Sequence, residues 1–213
     1  MTIKQRYEGV ISIFQEMMPD PKTELCYDTP FHLLLAVILS AQCTDKRINM
    51  VTPALYARYP EPGDMAASSE EEVYSYIKSV TFPNNKAKSL IKAARMIHEE
   101  YGDELPCDID KLMRLPGVGR KTANVMLSVV WNKSAMAVDT HVFRVSNRIG
   151  LTNDSPNPVA TEKTLVKYIP EELVARAHHW LILHGRYVCK ARKPECMECA
   201  IHDYCKSYNK IRR

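Results

Sequence analysis

The sequence predicts an all-α protein. Three observations lead there: apolar residues recur at helical spacing in segment after segment, helix-start signals precede several of those segments, and the only strand-like stretch, Ala135–Val138, is too short to found a sheet.

Taken in order, Asp28 and Thr29 before Pro30 give a helix start for Phe31–Gln42, which is apolar all round and so reads as a buried central helix. Ser69 with Glu72 reads as a capping box before Val73–Val80. Asn85–Tyr101 places Ala87, Leu90, Ile91, Ala94 and Ile97 on one face, with Gly102 just past the end. Gly119–Trp131 shows Ala123, Met126, Leu127, Val130 and Trp131 on one stripe, with Lys121, Asn124 and Ser128 as the polar face opposite. Pro170 opens another helix that carries Leu173, Ala177, Trp180, Leu181 and His184 to one side. Pro60–Gly63, Thr81–Asn85 and Asn153–Pro158 read as loops, and the total is about ten helices.

The chain has 213 residues, 46% apolar and 25% charged, enough to bury a core without disulfides. It has no apolar run near the ~20 residues of a membrane span and no secretory leader, so a cytoplasmic protein is expected. The net charge is +4. From Arg186 to Arg213 there are eight Lys/Arg against three Asp/Glu, a net of +5, which leaves −1 for the other 185 residues. So localised an excess suggests a footprint for a polyanion, although a solvated basic tail has the same composition.

The segment Leu115-Pro116-Gly117-Val118-Gly119-Arg120-Lys121-Thr122-Ala123 sits between two helical patterns. Gly117 and Gly119 allow positive φ and leave the amides around Val118 and Arg120 uncovered at a helix start, which is a site for phosphate. Asp139, ahead of a helical pattern with Val142, Phe143 and Val145, is a natural N-cap. Cys189, Cys196, Cys199 and Cys205 are spaced C-x6-C-x2-C-x5-C, so four thiolates within 17 residues can close on one centre. Thiolate chemistry alone allows zinc or an iron–sulfur cluster. Lys190, Arg192 and Lys193 lie in the first inter-cysteine loop, which ligation at both ends would turn into an ordered basic knob for a phosphate backbone. Cys26, Cys43 and Cys107 are scattered and read as small buried apolar residues.

The hairpin string resembles that of the endonuclease III family of DNA glycosylases. The resemblance extends in order through Leu39-Ser40-Ala41-Gln42-Cys43-Thr44-Asp45, Val138-Asp139-Thr140-His141-Val142 and the run from His178 to Arg186, and so spans roughly Thr29 to Cys205. It implies a two-lobed helix–hairpin–helix glycosylase fold. Residues 26–132 would form a helical barrel lobe, and residues 1–25 with 134–213 a second lobe holding a [4Fe–4S] cluster on a loop at 186–205. DNA would lie across the cleft, with Lys121 and Asp139 facing each other. It further implies a monomeric enzyme of base-excision repair, nucleoid-associated in a bacterium, that acts on duplex DNA bearing an oxidised pyrimidine or an abasic site.

By the same resemblance, Lys121 attacks C1′, expels the base and forms a Schiff base that permits β-elimination, while Asp139 assists proton movement and stabilises charge on the sugar. An ordinary lysine is neutral in only about one molecule in 2,500 at pH 7, so the reaction calls for a dry pocket. His141 reads as a structural or phosphate-contacting residue. C1′ of a stacked nucleotide is out of reach, so the target must be flipped out. Gln42 occupies the family's plug position, and Phe82 is the apolar wedge or else a core anchor beneath its loop. Many members have glycine where this chain has Thr81. Mismatch adenine glycosylases generally lack lysine at the position of Lys121. A non-enzymatic, zinc-containing DNA-binding module leaves the pair Lys121 and Asp139 unexplained.

Overall fold

A computed structural model describes residues Met1–Ile211; Arg212 and Arg213, which belong to the basic C-terminal run and to the expected second lobe, lie outside the described residues. The helices are α1 (Ile3–Met17), α2 (Pro30–Leu39), α3 (Asp45–Arg58), α4 (Pro62–Ala66), α5 (Glu70–Ile77), α6 (Pro83–Tyr101), α7 (Ile109–Arg114), α8 (Arg120–Trp131), α9 (Thr140–Ile149), α10 (Pro158–Tyr168), α11 (Val174–Tyr187) and α12 (Lys206–Ile211). Short 3-10 turns at Glu171–Leu173 and His202–Tyr204 complete the described residues, among which no strand forms. Ala135–Val138 is a buried connection.

The chain divides into two compact units. The first is continuous, Thr23–Trp131. At its centre is α2, started by the Thr29 side chain, which accepts from His32 N, and by Pro30 at its first turn. Leu33, Leu34, Leu35, Ala36 and Leu39 have no exposed surface, as an all-round apolar helix requires. Each such leucine contributes roughly 1.5–3 kcal/mol by leaving water. α3, α6 and α8 pack around α2, and α4 and α5 pack on α6. The second unit joins Met1–Lys22 to the chain from Asn132 onward. Tyr7, Val10 and Phe14 of α1 pack into one core with Val142, Val145 and Trp180. Tyr7 Oη donates to Leu151 O at 2.8 Å and Trp180 Nε1 to Met18 O at 2.7 Å, tying the N-terminal segment to this unit.

Several expectations need correction. α2 stops at Leu39, three residues before Gln42: Ala41 N turns to Ile38 O and Cys43 N to Ser40 O, and Gln42 itself is left-handed (φ 56). Residues 62–63, 83–85 and Pro158, read as loop, are helical; each lies where a helix opens with a proline at its first turn. Ser69 caps α5, but Glu72 does not complete a box: its carboxylate accepts from Arg58 Nε at 2.8 Å and from Ser68 Oγ. Pro170 leads into a 3-10 turn before α11 begins. Cys26 and Cys107 are exposed and Cys43 half-buried, since all three lie in connections between helices where no core reaches them. Asn124 and Ser128 are buried at 3% and 4% exposure, so the face of α8 carrying them is not a solvent face.

Candidate functional site

The first unit carries the hairpin. α7 ends at Arg114, Val118 N donates to Leu115 O at 3.0 Å to close the turn, and α8 starts at Arg120. Gly117 has φ +86, and a Cβ there would also sit 3.1 Å from Ser89 Cβ. The left-handed backbone therefore favours glycine at 117, where an added Cβ would also press on Ser89. Gly119 differs from expectation, because its φ is not positive and a Cβ on it would meet nothing within 4 Å. Its importance lies in what it lacks. Thr2, Thr29, Thr44, Ser69, Asp108, Asp139 and Asn157 each cap a helix with a side-chain oxygen. The residue ahead of α8 has no side chain and so supplies no such oxygen to the positive end of that helix. Val118 departs from its expected role: its side chain is buried at 7% exposure and its N–H is used within the turn. Gly119, Arg120 and Lys121 are exposed, and Lys121 stands on the first turn of α8.

The same unit brings Gln42 and Phe82 onto neighbouring loops. Thr81 Oγ1 lies 3.0 Å from Gln42 O and 3.2 Å from Ala41 O. Phe82 is 59% exposed and left-handed (φ 53), so it is not a core anchor. Lys86, a possible alternative amine, is buried; its Nζ donates to Leu39 O at 2.8 Å, Ala41 O at 2.7 Å and Thr81 Oγ1 at 3.1 Å. Burial lowers its pKa.

In the second unit, Asp139 is the N-cap of α9: Oδ1 accepts from Val142 N at 2.8 Å. His141 is half-buried, with Nδ1 3.3 Å from Arg144 Nη2, and its Cβ lies where a side chain on Gly185 of α11 would have to sit.

Cys189, Cys196, Cys199 and Cys205 border one pocket, shared with Ile149, Val188, Ile201 and His184. Among the described residues no three His, Cys, Asp or Glu side chains close on a single-ion site. Four thiols around one pocket are ligands for zinc and for an iron–sulfur cluster alike. Burial pushes the Cys199 thiol up to about 11, with the thiols of Cys205, Cys189 and Cys196 adding to the shift; burial raises Cys205 as well. Burial thus keeps Cys199 and Cys205 as thiols unless a positive centre, such as the iron of a cluster, draws off their protons. His184 Nε2 lies 3.7 Å from Cys199 Sγ, and burial lowers the pKa of His184 to about 4.

Two arginines that sequence reading missed hold the basic loop. Arg148 donates from Nη1 to Lys190 O at 2.7 Å and from Nη2 to Ala191 O at 3.0 Å; Arg144 Nη2 donates to Gly185 O and Cys189 O. Their only sequence signal is i,i+4 spacing on one face of α9. Lys190 is paired with Glu195, whereas Arg192 and Lys193 are exposed.

A helix that starts on a glycine hairpin, together with four cysteines around one pocket, is the arrangement of a helix–hairpin–helix protein with an iron–sulfur loop. Residues 35–171 match the model of the HhH-GPD superfamily of base excision DNA repair proteins, and residues 189–205 match the iron–sulfur binding domain of endonuclease III. The chain is 48% identical to endonuclease III of Rickettsia conorii, over 93% of this chain and 94% of the relative. It is 45% identical to that of Escherichia coli over 95% of each. A solved structure of a trapped endonuclease III–DNA covalent intermediate superposes with a TM-score of 0.93 at 44% identity, covering both chains entirely. A thermostable thymine-DNA glycosylase, at 21% identity and a TM-score of 0.88, shares the fold. The chain belongs to the endonuclease III family, enzymes of base-excision DNA repair that carry a [4Fe–4S] cluster. Among the described residues no helix is long and apolar enough to cross a membrane.

Proposed function

We propose that this protein excises oxidised pyrimidines from duplex DNA and then cleaves the strand at the resulting abasic site, with Lys121 as the covalent catalyst. The observation that carries the reading is the position of Lys121: an exposed amine on the first turn of α8, a helix that follows directly on the glycine hairpin and whose preceding residue, Gly119, has no side chain to cap it. A backbone phosphate bound by the open amides would hold the adjoining sugar within reach of that amine.

The neutral amine attacks C1′, and the C1′–N bond breaks with its electrons leaving on the base, which takes up a proton. Opening of the sugar gives the protonated Schiff base. Loss of a C2′ proton then breaks the C3′–O bond and severs the strand. Asp139, with Oδ1 committed to its helix cap, supports the positive charge on the sugar with its carboxylate as the base departs. Lys121 is exposed in the free chain, so bound DNA must itself exclude the water that would keep the amine protonated. Gln42 and Phe82 fill the gap left by the flipped nucleotide. The [4Fe–4S] cluster, held by Cys189, Cys196, Cys199 and Cys205, supplies a rigid anchor for the loop that presents Arg192 and Lys193 to phosphate.

Borohydride reduction on DNA carrying an oxidised pyrimidine or an abasic site tests this. Wild-type protein should give a covalent adduct and Lys121→Ala none, while DNA binding persists. A folded, DNA-binding Lys121→Ala that still forms the full adduct would place the nucleophile elsewhere.

A further inference from the structure

The ammonium of Lys86 uses all three of its donors on acceptors that lie far away in sequence, except for Thr81. Two of these are Leu39 O and Ala41 O, at the C-terminal end of α2, where carbonyls have no intrahelical partner and the dipole favours a cation. Thr81 accepts from this ammonium and directs its own proton toward Ala41 O and Gln42 O. One bridge thus joins residues 39–42 to residues 81–86.

Both residues flanking the bridge are left-handed without being glycine: Gln42 (φ 56) and Phe82 (φ 53). A bulky residue holds that conformation only where its surroundings over-determine it. Here Thr81, one residue before Phe82, is bound to the carbonyl of Gln42 itself. Neither side chain is buried by the arrangement. Core packing therefore does not account for the strain, whereas fixed aim does.

We infer that Lys86 and Thr81 form a clamp that positions Gln42 and Phe82 as one unit for opening the duplex; this rests on the reading of those two residues given above. Lys86 is a positioning residue, with its amine occupied rather than available for attack. Thr81 is the more telling partner, because it is exposed and its hydroxyl is the atom that links the two loops.

The test uses the cluster-containing protein. Thr81→Val removes the hydroxyl and keeps the shape, Thr81→Ser restores it, and Lys86→Met removes the ammonium. Should Lys86→Met fail to fold, the threonine pair still decides. Single-turnover excision from duplex DNA, strand cleavage at an abasic site in single-stranded DNA, and the fluorescence of 2-aminopurine opposite the lesion are compared. Thr81→Val should slow duplex excision by roughly tenfold or more, as ångström-scale misplacement does, and reduce the fluorescence change. Single-stranded cleavage should stay at the wild-type rate, and Thr81→Ser should recover duplex excision. In a Phe82→Ala background, Thr81→Val should add nothing. Equal losses on both substrates, multiplying losses in the double variant, or no loss for Thr81→Val where Phe82→Ala is slow would each overturn the clamp. If Gln42→Ala and Phe82→Ala both leave duplex excision intact, the plug-and-wedge reading fails first and the clamp falls with it.

Discussion

Arg148 holds Lys190 by its backbone: Nη1 donates to the carbonyl of the first residue after Cys189 at 2.7 Å, while the same nitrogen lies 3.7 Å from Cys189 Sγ. One guanidinium thus touches a proposed cluster ligand and the start of the basic loop. Because Nη2 also reaches Ala191 O, the contact is two-pronged, and a lysine could not reproduce it.

Arg148→Met should therefore retain iron at about four atoms per chain, since the four cysteines remain, yet free the loop. DNA affinity should fall by about tenfold, or ~1.4 kcal/mol. Cys199→Ser should instead lose colour, iron and DNA affinity together. Iron analysis and a binding titration at fixed salt distinguish the two. Unchanged affinity in a loop shown by proteolysis to be loosened would remove residues 190–193 from the DNA footprint.

Gly119 sets a helix against its function. Aspartate there would cap α8, and replacing glycine by a good cap changes stability by only a few tenths of a kcal/mol. The same carboxylate would occupy the anion site and repel phosphate. Gly119→Asp should thus melt at or slightly above the wild-type temperature while binding DNA at least about tenfold more weakly, ~1.4 kcal/mol. Gly117→Ala should do the reverse of the stability effect, losing about 1–2 kcal/mol to its left-handed backbone. A Gly119→Asp protein that binds DNA normally would show that phosphate does not sit on α8.

What could be read from the sequence was what is local. α2 was legible because its residues are apolar all round, and Asp139 as a cap because an N-cap oxygen serves an amide three residues on. The cysteine loop was legible because its ligands lie within one short segment. The Lys86 clamp was not, because its acceptors are 45 and 47 residues away and a lysine in a helix pattern looks like any surface lysine. Nor could Gln42 and Phe82 announce positive φ, which only glycine or asparagine signals in sequence. Glu72 misled for the same reason: the spacing of a capping box was present, but Arg58, from another helix, took the carboxylate. Cys26 and Cys107 were misplaced by the general tendency of free cysteine to be buried, which yields where a connection has no core beneath it.

His179 gives a pH dependence whose direction follows from its burial. Burial lowers its pKa from 6.5 to about 4, so above pH 6.5 both folded and unfolded chains hold it neutral. As pH falls from 6.5 toward 4, the unfolded chain binds a proton that the folded chain does not, and stability is lost through that window. The loss approaches on the order of 3 kcal/mol by pH 4. Urea unfolding of wild type and His179→Gln between pH 7 and pH 4 should show a flatter dependence for the variant. Parallel curves would show that His179 does not titrate with unfolding.

Asp139 is asked to do two things, and two substitutions separate them. As a cap, its Oδ1 serves Val142 N; losing that oxygen in Asp139→Ala should cost about 1 kcal/mol of stability. Asp139→Asn keeps an oxygen for the cap and removes only the charge. If the carboxylate supports the sugar as the base departs, Asp139→Asn should melt close to wild type but release base roughly 10²–10⁴-fold more slowly. DNA that already contains an abasic site has no base to lose, so strand cleavage there should suffer less, and the borohydride-trapped adduct on Lys121 should still form. The comparison is between two rates on one variant, excision and abasic-site cleavage, with thermal melting as the control for the cap. Equal slowing of both would assign the charge of Asp139 to Schiff-base chemistry rather than to base departure. Loss confined to Asp139→Ala would leave the residue as a helix cap alone.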